Sequence, residues 1–331
     1  MLFGFEGQFA RFIAMDRESY ARSIFFDGRV QPADQQFYRV PLEPLLAHLA
    51  ETGFKPPRIG FIHHFAQSGS TLLARALDHP GNLVIREPLH LRELGVRAGA
   101  ANGGSLTAQQ RALLEFSLSM LGKRFEPGSS LIVKGSVPVS LLASEIADLD
   151  PGRPAILLHF PLDDYCAAVL RTPNHQRWVE SVTGEIGLER DPLIGDIAKL
   201  TVAEKAAALW YSMIKRFERL LALHPAMRSL DANQFFDRPG ATIVAANELF
   251  DAGLGAGEAR TVADGPLFAT YSKNPRIPYD PATRVERREQ AKTMLKAELG
   301  LARRWVEQRS GPAAVPPALD RPLLGQAAPL F

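Results

Sequence analysis

Gln67, Ser68, Gly69, Ser70 and Thr71 lie where an apolar run gives way to a helix-patterned one, in Arg58-Ile-Gly-Phe-Ile-His-His-Phe-Ala-Gln-Ser-Gly-Ser-Thr-Leu-Leu. The pattern predicts a buried strand over Ile59 to Ile62, a tight loop centred on Ser68-Gly69-Ser70, and an amphipathic helix from Thr71. Small residues at such a junction let several backbone N–H groups converge on one point. The positive end of the helix dipole faces the same point, and phosphate or sulfate is the ligand that suits it. Against the nucleoside-triphosphate pattern G-x-x-x-x-G-K-[ST], His64 replaces the first Gly and Ser70 replaces the Lys.

Other residues could work beside this loop. Glu87, in Arg86-Glu87-Pro88, follows the short strand expected over Asn82 to Ile85. It could be a general base, given a hydroxyl within reach and a pKa raised by burial, or a salt-bridge partner of Arg86. Lys134 closes the apolar run Leu131-Ile-Val133, at the carboxyl edge where parallel sheets bind ligands. Lys273 stands in Thr270-Tyr-Ser-Lys-Asn-Pro275. Either lysine is a site cation or a solvated surface residue. His63 and His64 point to opposite sides of a strand and have no spaced carboxylate or thiol, so no metal site is expected; His64 is assigned to the loop. Asp163-Asp164 is a magnesium pair or a helix cap, and Cys166 a small buried apolar residue.

These residues need a scaffold that brings strand ends together. Continuous apolar runs at Leu131 to Val133 and Ala155 to Leu158 read as central parallel strands, with a last strand over Met227 to Leu230. Helices are expected over Pro41 to Glu51, Thr107 to Phe125, Val139 to Leu149, Val202 to Leu223, Ala241 to Phe250 and Val285 to Gln308. Gly99 to Gly104 reads as a surface loop and Thr270 to Arg284 as an ordered one. Alternating strands and helices predict a three-layer α/β fold with a mainly parallel central sheet flanked by helices. Residues 1–57 form an N-terminal flanking or cap segment, 58–310 the main domain, and 311–331 a Pro-rich tail, extended or mobile.

Bulk properties set limits. The chain has 331 residues, enough for one large α/β domain, and 38 basic against 36 acidic residues give a net charge of +2. That balance suggests no nucleic-acid or membrane partner. One cysteine rules out an internal disulfide framework and fits a reducing compartment. Glu6 and Arg11 interrupt the apolar N-terminus, so no signal peptide is expected, and the default location is cytoplasmic.

Taken together, Gln67-Ser-Gly-Ser-Thr-Leu-Leu, Arg86-Glu87-Pro88 and Ala155-Ile-Leu-Leu-His-Phe-Pro161 resemble the P-loop sulfotransferase superfamily, in particular the bacterial branch similar to tyrosylprotein sulfotransferases. The resemblance spans roughly residues 58–305 and is most specific in the first loop. It implies that Gln67, Ser68, Gly69, Ser70 and Thr71 hold the 5′-phosphosulfate of 3′-phosphoadenosine 5′-phosphosulfate, and that Glu87 is the general base on the acceptor. It further implies roles at the donor for His159, Arg171 and Lys273, the last in a loop that closes over the nucleotide. The chain departs from the family pattern at three positions. Gln67 stands for a basic residue, His159 for the Arg two residues before Pro161, and Ala167 for a Ser. Lys134 and Lys273 are the candidates to restore the missing positive charge.

Three readings follow. The first is a sulfotransferase-like enzyme acting on a hydroxyl or amine of a small-molecule or peptide acceptor. The second is a sulfotransferase-fold binding protein that has lost donor contacts, supported by Gln67, His159 and Ala167. The third is a P-loop kinase or NTPase, opposed by Ser70 and by apolar runs that end in Val133-Lys134 and Leu158-His159 rather than in Asp.

Overall fold

The computed structural model of the chain describes residues 1–100, 106–122, 125 and 128–331. An antiparallel sheet of β1 (Leu2–Glu6), β2 (Phe9–Ile13) and β3 (Phe37–Pro41) opens the chain, accompanied by helices α1 (Arg17–Arg22) and α2 (Leu42–Thr52). The central sheet comprises β4 (Gly60–His64), β5 (Asn82–Arg86), β6 (Ser130–Lys134), β7 (Ala155–His159) and β8 (Met227–Asp231), all parallel in the order β5-β6-β4-β7-β8. Its helices are α3 (Ser70–Ala76), α4 (Leu89–Ala100), α5 (Ala108–Leu121), α6 (Ala143–Leu149), α7 (Leu162–Leu170), α8 (Pro173–Glu185) and α9 (Val202–Leu223). Then come α10 (Ala232–Asp237), α11 (Pro239–Phe250), α12 (Ala256–Ala263), the hairpin β9 (Thr270–Tyr271) and β10 (Asn274–Pro278), α13 (Pro281–Met294) and α14 (Lys296–Glu307). The expected α/β class with a parallel sheet between helices is therefore the observed one.

The sheet forms because its strands are apolar on both faces. Every residue of β4, β5 and β7 is buried, as expected of strands covered by helices on each side. Capping boxes set the starts of two long helices, Thr107 with Gln110 for α5 and Thr201 with Glu204 for α9. Trp210, Met213, Ile214, Phe217 and Leu220 of α9 are buried in the core beside the sheet.

The structure revises four expectations. The flanking segment contains a three-stranded sheet, whose first hairpin turns at Gly7 with φ +56°. The stretch read as a loop over Thr270 to Arg284 is the β9–β10 hairpin followed by the start of α13. The single last helix is broken at Leu295, which leaves helical geometry at φ −100° and ψ 20°. The tail folds back on the domain and buries Leu319, Leu324 and Leu330. Ser229 N–H donates to the Arg321 carbonyl at 3.0 Å and Leu323 N–H to the Ser229 carbonyl at 2.7 Å, so the tail covers the open edge of β8. Of the surface loop expected over Gly99 to Gly104, Gly99 and Ala100 belong to α4 and the rest lies outside the described residues. No helix among the described residues is long and apolar enough to cross a membrane.

Candidate anion and proton-transfer site

The loop after β4 is the candidate anion cradle. Gln67 has φ +66° and Gly69 φ +82°, two left-handed residues ahead of α3, and such changes of backbone hand are how loops gather N–H groups around an anion. Gly69 is required twice over, since a Cβ there would lie 2.6 Å from Phe236 Cζ. Ser68 braces the loop: its hydroxyl donates to the Phe65 carbonyl at 2.7 Å, and its N–H points to the same oxygen at 3.4 Å. Thr71 behaves differently. It is 2% exposed, and its hydroxyl has no hydrogen-bond partner among the described residues. Such a group costs about 1–3 kcal/mol unless a ligand satisfies it.

His64 is not in the loop but is the last residue of β4. Its Nδ1 lies 2.9 Å from the Phe65 carbonyl and its Nε2 2.8 Å from the Gly135 carbonyl, tying β4 to the turn after β6. Burial, aided by the nearby Lys134, pushes its pKa down to about 3, so the ring is neutral at pH 7 and donates to only one of these two carbonyls.

At the far side of β6, Glu87 leaves β5 in a left-handed conformation, φ +59°. The Lys134 ammonium, with a side chain 1% exposed, pairs with Glu87 Oε1, and the Glu87 N–H donates to the Lys134 carbonyl at 2.7 Å. Glu87 was read as a possible partner of Arg86, but Arg86 pairs with Asp78 at 2.6 Å. The remaining Arg86 donors take the carbonyls of Tyr20, Ser23, Ile24 and Val84, stitching the N-terminal segment to β5. That stitching delivers Arg29 to the site, 3.8 Å from Glu87 Oε2 and stacked over Phe25 at 3.7 Å.

The charge state of Glu87 corrects another expectation. Burial does push its carboxyl up, but the Lys134 ammonium, through charge and hydrogen bond, outweighs burial and holds it down at about 2. Lys134 itself is lowered by burial and partly restored by Glu87. Lys273 also belongs here. It stands exposed on the hairpin, yet desolvation of its ammonium by the surrounding protein and repulsion from Lys134, Arg29 and Arg171 bring it down to about 8, against the opposing pull of Glu87. The hairpin tip carrying Lys273 is anchored on α3, where Arg75 Nη1 donates to the Ser272 carbonyl at 2.9 Å.

Among the residues named from sequence, Glu87, Lys134, Lys273 and Arg171 thus come into one field of charge, beside the loop of Gln67 to Thr71. His159 does not join them. It ends β7 in register with Asp231, is 3% exposed, and burial drops its pKa to about 4, so it is neutral where an Arg fork was expected. Asp163 and Asp164 are structural, paired with Arg303 and with Lys292 (2.6 Å) respectively. Cys166 is buried, and burial raises its thiol pKa.

Two residues escaped the sequence reading. Arg29 reaches Glu87 only through the stitched segment, and nothing local marks it. His175 sits in the first turn of α8, its N–H donating to the capping Thr172 Oγ1 at 3.3 Å and its Nδ1 lying 3.0 Å from the same oxygen, while its Nε2 lies 3.4 Å from Gln67 Nε2. Its one sequence signal was Thr172-Pro173, a helix start that places His175 in the first turn.

Neither a family model nor a curated protein matches the chain. Among solved structures, it is similar to a sulfotransferase domain from the curacin biosynthetic pathway, at 15% identity and a TM-score of 0.45, over 80% of this chain and 95% of that one. It is also similar to a sulfotransferase from Alicyclobacillus acidocaldarius, at 13% identity and a TM-score of 0.39, over 76% of this chain and 96% of that one.

Proposed function

We propose that the protein transfers a sulfuryl group from 3′-phosphoadenosine 5′-phosphosulfate to a hydroxyl or amine. The observation that carries this reading is the pairing of a lysine-free anion loop, with Thr71 buried and unpartnered, with the Glu87–Lys134 ion pair at the same sheet edge. The loop N–H groups and the Ser70 and Thr71 hydroxyls would take the phosphosulfate. A sulfuryl group carries less charge than a γ-phosphoryl group, so this neutral donor set suffices without a loop lysine.

In this reading the acceptor O–H or N–H proton passes to Glu87 as the new bond to sulfur forms. The bridging S–O bond of the donor breaks, and adenosine 3′,5′-bisphosphate leaves with its pair of electrons. Glu87, held down at about 2 chiefly by Lys134, is a weak base. A bound, negatively charged donor would draw on Lys134 and Lys273 and raise the proton affinity of Glu87. Arg171 and Lys273 would supply positive charge at the nucleotide. A magnesium-dependent kinase reading is less well served. The strand that does end in Asp, β8, spends Asp231 Oδ1 on the Gln234 N–H as a helix cap at 3.0 Å.

Calorimetry with adenosine 3′,5′-bisphosphate tests the proposal. One site with a Kd below about 1 μM is expected, kept in Glu87→Gln. A folded sample without binding would replace it by the non-catalytic reading, which the neutral, buried His159 favours.

A further inference from the structure

A cavity of about 450 Å³ opens beside the site, between the C-terminal end of α1, Arg75 of α3 and the β9–β10 hairpin. That volume lies within the range of small-molecule pockets, roughly 300–1,000 Å³. Its lining is one-sided in charge. Arg22, Arg75, Arg86, Lys273 and Arg276 line it, and no carboxylate does. Arg86 is neutralised by Asp78, which lines the adjoining cavity of about 310 Å³.

None of the other four cations has a carboxylate within ion-pair distance among the described residues, although Asp78 acts on Arg75 and Glu87 on Lys273 through space. Arg75 gives one N–H to the Ser272 carbonyl, and Arg22 bonds the carbonyls of Gln31 and Pro32 and the Ser19 hydroxyl. The side chains of Lys273 and Arg276 have no hydrogen-bond or ion-pair partner among the described residues. Four like charges around one hollow repel each other, and a bound anion would relieve that cost. Lys273 joins the hollow to the reaction site, because it also lies in the field of Glu87 and Lys134.

We infer that this cavity binds an anionic group, a phosphate, sulfate or carboxylate, carried by the acceptor molecule. Naming the guest as the acceptor rests on the sulfuryl-transfer reading; the anion site itself does not. The cavity seats the anion, and Lys273 at its border leads from it to Glu87, where the acceptor hydroxyl or amine gives up its proton.

The test is a titration with inorganic sulfate of the full chain already saturated with adenosine 3′,5′-bisphosphate. Backbone amide shifts of Ala21, Arg22, Arg75 and Asn274 are followed by NMR. Saturable shifts at these amides are expected, with a Kd at least about tenfold weaker in Arg276→Glu. Arg276 has no side-chain partner to lose, and unchanged amide positions elsewhere confirm the fold of the variant. Absent or non-saturating shifts, or an unaltered Kd in Arg276→Glu, overturn the inference. So does the nucleotide alone filling the cavity amides, since the cavity then belongs to the donor. If the nucleotide does not bind at all, the transfer reading fails, and sulfate titration of the free chain decides the anion site at the same amides.

Discussion

Lys134 and Glu87 hold each other twice: the Lys134 ammonium pairs with the Glu87 carboxylate, and the Glu87 N–H donates to the Lys134 carbonyl at 2.7 Å. The backbone bond fixes Glu87 in its left-handed conformation, which aims the carboxylate back over the end of β6. A fully buried lysine is tolerated there because its charge is answered at once.

Removing one partner should therefore cost more than removing both. Lys134→Met is expected to lower stability by about 2–4 kcal/mol in urea unfolding, with much of the loss recovered in the Lys134→Met, Glu87→Gln double variant. The pH dependence carries the same signature. The folded pKa of Glu87 is depressed, from 4.5 to about 2, so its contribution is present above about pH 4.5 and lost as pH falls toward 2. Glu87→Gln should lack that part of the acid loss. Equal unfolding curves for the parent and Lys134→Met would remove the pair from the stability account.

Thr71→Val separates binding from folding. Valine keeps the shape of the side chain and deletes a buried hydroxyl that has no partner, so stability should hold or rise by up to about 1 kcal/mol. Affinity for adenosine 3′,5′-bisphosphate should fall roughly tenfold, the loss of one hydrogen bond to a charged group. Undiminished affinity by calorimetry would show that the hydroxyl does not meet the ligand.

Lys273 should impose an upper pH limit on anion binding. Its free pKa is near 8 and a bound anion raises it, so affinity is full below about pH 8 and declines as pH rises above it. Lys273→Met should bind more weakly at pH 7 and lose this slope. A parent profile flat from pH 7 to pH 9 would exclude the lysine from the site.

Asp231 offers a stability test on the opposite sheet edge. Burial raises its carboxyl to about 6 from 3.8, and Oδ2 has no partner, while Oδ1 caps α10. The folded state binds more protons between those two values, so stability falls as pH rises through that window. Asp231→Asn keeps a capping oxygen and removes the buried charge. It should gain about 1–2 kcal/mol at pH 7.5 and little at pH 4, measured by thermal unfolding. A loss at pH 7.5 would point to an unrecognised partner for the charged form.

Local sequence determined the frame of this protein. Apolar runs at Ile59 to Ile62, Leu131 to Val133 and Ala155 to Leu158 had to become buried strands, because strands covered on both faces need no polar alternation. Thr107 with Gln110, and Thr201 with Glu204, wrote the starts of α5 and α9 into a few adjacent residues. Ser68-Gly69-Ser70 fell between strand and helix for equally local reasons, and Gly7 between two aromatic-rich runs was a hairpin signal open to the same reading. The tertiary structure alone decided the chemistry of those residues. Burial argued for a raised Glu87 pKa, and only the strand order β5-β6-β4, which sets Lys134 beside it, reversed the sign. The family resemblance gave His159 a place at the donor phosphate, yet its burial at the end of β7 left it neutral and outside the cluster. Arg29 and Lys273 reached the site through contacts far apart in sequence, Arg86 with the N-terminal segment and Arg75 with Ser272. Helices and strands are coded by neighbours along the chain. A pKa is set by charges that neighbour one another only in space, so Glu87 was legible as a carboxylate at a strand end but not as one whose pKa is held down.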